Sequence, residues 1–345
     1  MIRPLCPHDV DHTVIYRPDP GASADGQHRT DQTNRRDRVP PPAAGAADGK
    51  ACTVKLLRIG PPGAERPAAL SPEGVPLDLS AITPDIDGDF LSGGGLERAR
   101  AALEAGELPV LAGAVGAGTP DGPRVGPPVA PRGKLIGIGT NYTDYAAATG
   151  AEPPERPIVF IKPTDTVVGP HDPVRVPRGC TATDHEVELA VVIGRTARYL
   201  ETDAEAEAAV AGYTVANDVT EREHQFGHGG QWGKGKSFET FTPLGPWLAT
   251  PDELGAGGTA SLGLRTRVNG ELVQDGTTAK MLFDVPYLVR HLSRFMALRP
   301  GDVVITGTPA GVAMTRPGTP YLRPGDVMEL EVDLLGRQRQ VLAAA

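Results

Sequence analysis

Cysteine is nearly absent from this chain. The three present, Cys6, Cys52 and Cys180, are too few and too far apart for a disulfide framework or a zinc knuckle. They read as incidental thiols in a reducing compartment. Long apolar runs are missing too. None approaches the roughly 18 residues that span a bilayer, and the N-terminus lacks the hydrophobic core of a signal peptide. The expected location is the cytoplasm. Basic residues are in deficit, 34 Lys and Arg against 43 Asp and Glu, for a net charge of -9. That excludes nucleic acid as a main partner, because phosphate binding wants a basic face.

What is abundant is glycine, 43 residues, and proline, 35 residues. Both mark turns, so a β-rich, loop-rich architecture is expected. The 345 residues suffice for two domains or one large domain with additions. Residues 1–52 are rich in Pro, Asp, Arg and Gly, with few large apolar side chains. Such a segment buries too little surface to offset its ordering entropy, and a disordered extension is expected. Residues 53–119 read as a small α/β domain, with short strands at 54–59, 68–70 and 75–79 and a helix over 96–108. Residues 120–131 form a Pro/Gly-rich linker. Residues 132–345 hold many short strands, at 134–139, 158–162, 186–194 and 213–219 among others. A helical or loop segment is expected over 140–150 and an amphipathic helix over 283–296. Asn269-Gly270 fits a type I′ hairpin turn. This pattern argues for a β-sandwich or roll in an α+β, β-rich fold.

One stretch organises the rest, Asp184-His185-Glu186-Val187-Glu188-Leu189-Ala190-Val191-Val192-Ile193-Gly194. Residues two apart on a strand face one side, so Glu186 and Glu188 project together. Two carboxylates at the start of a buried strand repel and lose hydration, and a positive partner must offset that cost. Asp218, at the end of another predicted strand, is a third acid. Three carboxylates build half an octahedron for Mg²⁺ or Mn²⁺ and leave positions for water and substrate. No Cys/His cluster points to zinc. Arg222, Lys234 and Lys236 follow in sequence and suit an anionic substrate. Thr308, in a turn after a strand, suits contact with a carboxylate.

These motifs occur in an order that resembles the fumarylacetoacetate hydrolase superfamily. They run Ile136-Gly137-Ile138-Gly139-Thr140-Asn141-Tyr142, Phe160-Ile161-Lys162-Pro163, Glu186-Val187-Glu188-Leu189, Ala216-Asn217-Asp218-Val219, Gly235-Lys236-Ser237-Phe238 and Thr306-Gly307-Thr308-Pro309-Ala310-Gly311. The resemblance spans about residue 54 to the C-terminus. It implies a mixed β-sandwich roll with a small N-terminal domain, usually a homodimer. It also implies Mg²⁺ or Mn²⁺ on Glu186, Glu188 and Asp218. Arg222, Gln225 and Thr308 would face the substrate, with Lys236 catalytic. The implied substrates are 2-oxo acids and β-diketo acids, whose two oxygens chelate the metal while an enolate forms.

The chain departs from that family at the lid. Hydrolytic members commonly carry Asp-His-Ala-x-Glu after Asn-Tyr, and the His and Glu activate water. Here Tyr145 stands at the His position and Ala148 at the Glu position. Tyr, with an ordinary pKa near 10, is a poor base at neutral pH but a competent proton donor. Three expectations follow. In the first, C–C bond hydrolysis persists, with a base drawn from His224, His228, Glu223 or Glu239. In the second, the enzyme is a decarboxylase or keto–enol isomerase that needs no activated water and uses Tyr145 as donor. In the third, the protein binds metal and ligand without turnover.

Overall fold

The structure is a computed structural model and describes residues 53–345. The expected N-terminal extension, 1–52, lies outside the described residues. The chain begins with β1 (Lys55–Ile59), β2 (Arg66–Leu70) and β3 (Pro76–Asp78), followed by α1 (Gly88–Ser92) and α2 (Gly95–Ala105). Asp87 caps α1 by accepting from the Asp89 and Phe90 amides, and left-handed Gly106 ends α2. Next come β4 (Leu135–Gly139), α3 (Thr143–Thr149), β5 (Ile158–Lys162), β6 (Val167–Val168), β7 (Val174–Val176) and β8 (Thr183–Asp184). The central strands are β9 (Val187–Ile193) and β10 (Val210–Asn217), joined through α4 (Asp203–Ala208). Short β11 (Thr220–Glu221), α5 (Arg222–Phe226) and α6 (Gly233–Lys236) precede β12 (Thr242–Ala249). The chain closes with β13 (Gly263–Val268), β14 (Glu271–Thr277), α7 (Val285–Ser293), β15 (Val303–Ile305), β16 (Val327–Val332) and β17 (Gly336–Ala344).

The main sheet runs β3-β2-β1-β12-β10-β9-β15-β4-β5, with β6 beside β12. A second sheet runs β14-β13-β16-β17-β7. This is the β-rich α+β roll expected from the sequence. Strand β1 pairs with β12, so the segment expected as a small N-terminal domain extends the main sheet.

Strand β9 is buried on both faces. Val187, Leu189, Val191 and Ile193 enter a core shared with Leu264, Met328, Leu330 and Leu342 of the second sheet. Ala190 and Val192 enter another core with Ile86, Phe90 and Leu91 from the α1 region. Each Val, Leu, Ile, Met or Phe side chain removed from water contributes about 1.5–3 kcal/mol. The even face of β9 is therefore a dry layer, and at its entrance the residues on that face are Glu188 and Glu186. In β10, Ala216 pairs with Glu188, which puts Asp218 just beyond the strand end, where its amide donates to the Glu186 carbonyl at 2.9 Å.

Candidate metal centre

Glu186, Glu188 and Asp218 are all buried and bring carboxylate oxygens within 4.8 Å of one another. Asn217 helps to fix the entrance, its side-chain oxygen accepting from the Glu186 amide at 3.1 Å.

Two of the three acids are matched by cations. Glu186 receives Arg222 Nη2 at 2.7 Å on one oxygen and Lys236 Nζ at 2.9 Å on the other. Asp218 receives Lys162 on one oxygen and Lys236 on the other. Lys162 also donates to the Phe241 carbonyl at 2.8 Å, and Lys236 to the Thr220 hydroxyl at 2.9 Å. Burial opposes the Asp218 charge, but the two ammonium groups hold its carboxyl below the ordinary range. Burial likewise opposes the Lys236 charge, and Asp218 and Glu186 more than compensate, so its pKa is raised. For Lys162 burial wins over Asp218 and the pKa is lowered.

Glu188 is different. Its Oε2 accepts from the Gly307 amide at 2.7 Å, and no ion pair reaches it among the described residues. Burial, then the Asp218 and Glu186 charges, push its pKa well above the carboxylate range. Gly307 supports this contact with φ of 95°, a conformation open to glycine, and an added Cβ would lie 2.9 Å from Asn141. An under-compensated buried carboxylate beside two others, all oxygen donors, fits a hard divalent cation. Glu186, Glu188 and Asp218 would hold it.

The pocket over these carboxylates is lined by Tyr145, Gln225, Lys236, Thr308, Trp232 and Phe160, among others. Tyr145 arrives on α3, which packs through Tyr142 and Tyr145 against Val312, Met281 and Met314. Lys280 pairs with Asp144 at 3.0 Å and pins this helix from outside. Burial is the main cause that pushes the Tyr145 hydroxyl up to about 12. Ala148 is exposed on the same helix.

Arg222 does not line the pocket. Its guanidinium lies behind it, bonded to Asp184 at 2.9 Å, Glu186 and Gln225 at 2.9 Å. Its Nη1 donates to the Gln225 carboxamide oxygen and orients that side chain. Burial opposes its charge, but Glu186 and Asp184 carry its pKa well above the usual value. His224, expected as a replacement base, also points elsewhere. Helix α5 turns Arg222 and Gln225, three apart, toward the site, and the residues between them face away. His224 instead lies against His228 and edge-on to Phe238 and faces Cys180. Glu223 and His228 are exposed. Glu239 is exposed beside Arg175, and Lys234 is exposed with its ammonium on the His228 carbonyl.

Three residues of the site were not assigned roles from sequence. Lys162 stands in the Phe-x-Lys-Pro motif, where a lysine at the end of a buried strand was the available signal. Asp184 accepts from Arg222 and from the Ala313 and Met314 amides. Gln274 of β14 bonds both Thr308 and Val187, and a hairpin glutamine offers no sequence signal.

The model of the family described as fumarylacetoacetate (FAA) hydrolase, C-terminal, matches residues 134–343. A Burkholderia multivorans protein described as "Putative hydrolase" is 47% identical over 293 residues, covering 85% of this chain and 100% of that protein. A 2-hydroxyhepta-2,4-diene-1,7-dioate isomerase from Mycobacterium marinum superposes with a TM-score of 0.63 at 30% identity, covering 84% of this chain and 98% of that one. Maleylpyruvate hydrolase from Sphingobium, solved with manganese(II) and pyruvate, gives 0.66 at 27% identity over 84% and 99% of the two chains.

Proposed function

The chain belongs to the fumarylacetoacetate hydrolase family, and on that premise we propose that it is a metal-dependent enzyme that converts a small 2-oxo or β-diketo acid through its enolate by isomerisation or decarboxylation. The observation that carries this reading is Tyr145. It occupies the pocket at the position where a water-activating base stands in hydrolytic members, with its pKa pushed up to about 12. At neutral pH it keeps its proton and serves as a donor.

A Mg²⁺ or Mn²⁺ on Glu186, Glu188 and Asp218 would supply Lewis-acid polarisation of the substrate's two oxygens. Lys236, kept charged by Glu186 and Asp218, adds a fixed positive field at the same place. Gln225, oriented by Arg222, positions the carboxylate end, and the Thr308 hydroxyl, whose proton goes to the Val187 carbonyl, accepts from a protonated oxygen of the substrate. When the enolate collapses, Tyr145 delivers its proton to carbon and recovers one from solvent. In decarboxylation the electrons come from the bond to departing CO₂. In ketonisation they come from the enol, whose hydroxyl proton passes to water.

C–C bond hydrolysis is the second reading. It is favoured by the hydrolase names among the similar proteins. The same premise supports a cytoplasmic homodimer. Edge strand β5, with Ile158 and Ile161 exposed, is consistent with a covered face. Among the described residues no helix is long and apolar enough to cross a membrane.

A substrate panel with saturating Mn²⁺ tests the proposal. Oxaloacetate decarboxylation or enol ketonisation should exceed acylpyruvate hydrolysis, and Tyr145→Phe should cost about 10²–10⁴ in rate. Fast acylpyruvate hydrolysis that survives Tyr145→Phe would establish the hydrolytic reading instead. Binding without turnover of any substrate would leave a ligand-binding protein.

A further inference from the structure

Sequence spacing gave no reason to expect a soft-metal site, yet the fold assembles one group of suitable ligands outside the carboxylate centre. Cys180, Glu221 and His224 place one sulfur, one oxygen and one nitrogen within 4.8 Å of one another. We propose that these three residues form a second metal site, for a thiophilic divalent ion of the zinc type, behind the helix that carries Arg222 and Gln225.

The argument rests on charge and geometry. Glu221 is fully buried. Its oxygens accept from the Ala182 amide at 3.1 Å and the Thr183 hydroxyl at 2.8 Å. No lysine or arginine forms an ion pair with it among the described residues. A buried carboxylate with neutral donors alone carries an uncompensated desolvation cost. The two groups that face it are a thiol and an imidazole, with Cys180 Sγ and His224 Nδ1 4.0 Å apart. Zinc bonds of about 2.3 Å to sulfur and about 2.0–2.1 Å to nitrogen place tetrahedral ligands about 3.6 Å apart, so the sulfur–nitrogen pair comes to that separation with a shift of a few tenths of an ångström. His228 lies against His224, its ring tilted by 54° with centroids 4.3 Å apart, and with solvent it is the source of a fourth ligand.

The donor sets of the two sites sort their ions. Three carboxylates select Mg²⁺ or Mn²⁺, whereas sulfur and imidazole nitrogen select zinc-like ions. The Cys180 ligand is a thiol, which as a free side chain carries its proton at neutral pH. A bound cation displaces that proton to solvent, giving a thiolate ligand and one released proton per ion. The ion then ties the Cys180 turn to Glu221 and His224, which flank Arg222 on β11 and α5. Arg222 orients Gln225, so the clamp fixes the side of the pocket that holds substrate. These are positioning residues for the pocket, and the site stands whether the reaction is isomerisation, decarboxylation or hydrolysis.

The test uses the full chain in a Cys6→Ser/Cys52→Ser background, so that Cys180 is the sole thiol, with Mg²⁺ saturating the carboxylate centre. Zn²⁺ titrated by calorimetry should bind at one equivalent per chain. Co²⁺ should give a thiolate-to-cobalt charge-transfer band in the near ultraviolet. Cys180→Ser should abolish that band and weaken Zn²⁺ binding at least about tenfold, with His224→Ala also weakening it. Circular dichroism checks that both variants fold. No Zn²⁺ equivalent beyond the Mg²⁺ site, Co²⁺ binding without the thiolate band, or unchanged Zn²⁺ affinity in Cys180→Ser would each overturn the proposal.

Discussion

Gln274 donates a 2.8 Å hydrogen bond to the hydroxyl of Thr308. Its carboxamide oxygen accepts from the Val187 amide and the Thr266 hydroxyl, which fixes its orientation. Thr308 in turn gives its proton to the Val187 carbonyl at 2.9 Å, so the hydroxyl meets the pocket as an acceptor. Gln274→Leu should free that hydroxyl and leave the Val187 amide and Thr266 without their partner. The expected result is a KM raised several-fold with a smaller change in kcat, and a stability loss of about 1–3 kcal/mol. Steady-state kinetics and urea unfolding measure both. A stability loss with KM unmoved would make Gln274 a packing residue only.

Among the described residues, Glu188 is the carboxylate of the centre without an ion-pair partner. Glu188→Gln keeps its shape and removes the charge that a cation would satisfy. With Mn²⁺ at about one hundred times its Kd, the native protein should gain about 2.7 kcal/mol of stability, and the variant none. The metal-free variant should be no less stable than the metal-free native protein, because a costly buried charge has gone. Calorimetric Mn²⁺ titration and melting with and without metal give the answer. Native-like Mn²⁺ affinity in the variant would remove Glu188 from the ligand set.

Tyr145 has its pKa raised by burial to about 12 in the folded protein, against about 10 unfolded. The folded state thus holds its proton more tightly than the unfolded state. The stability this contributes is fully present below pH 10 and is lost as pH rises toward 12. The loss is about 2–3 kcal/mol. Tyr145→Phe should lessen the fall in stability across that window by about this amount, read by denaturant unfolding at several pH values. Tyrosine ionisation followed by ultraviolet absorbance should show one fewer high-pH group. An identical pH slope in the variant would mean that Tyr145 ionises as freely as a surface tyrosine.

Lys162 is wholly buried, and Asp218 depends on it for one of two cationic partners. Lys162→Met preserves much of the side-chain volume but leaves Asp218 and the Phe241 carbonyl each short of a donor. Breaking a buried pair on one side costs about 3–5 kcal/mol, and the variant's unfolding midpoint should fall accordingly. A change below about 1 kcal/mol would show that Lys162 contributes little to holding Asp218.

Much of this was legible because the signals are local. Period-two alternation put Glu186 and Glu188 on one side, and in the structure their carboxylate oxygens lie within 4.8 Å of each other. Asn269 and Gly270 take the positive φ values, 52° and 85°, that a type I′ turn requires. The chain also carries the segment Arg-Pro-Gly-Asp twice, at 299–302 and 323–326, and the two copies behave alike. Asp302 accepts from the Arg299 amide and Asp326 from the Arg323 amide, each at 2.7 Å. Such features depend on residues two to four apart, and the chain states them directly.

Tertiary structure decided the rest, because direction and distance across the chain are not written in spacing. Whether His224 faces the carboxylates depends on how a five-residue helix is rotated, and that rotation is set by where Arg222 finds Asp184 and Glu186. Lys162 became a partner of Asp218 when β5 and β10 were brought to one pocket, across 56 positions of sequence. Cys180 met Glu221 and His224 in the same way, by the pairing of β8 with β11. The sequence by itself determined the strands, the turns and the acids that face one side of β9. Folding alone chose their cations, because buried charges select partners by proximity in a low-dielectric interior.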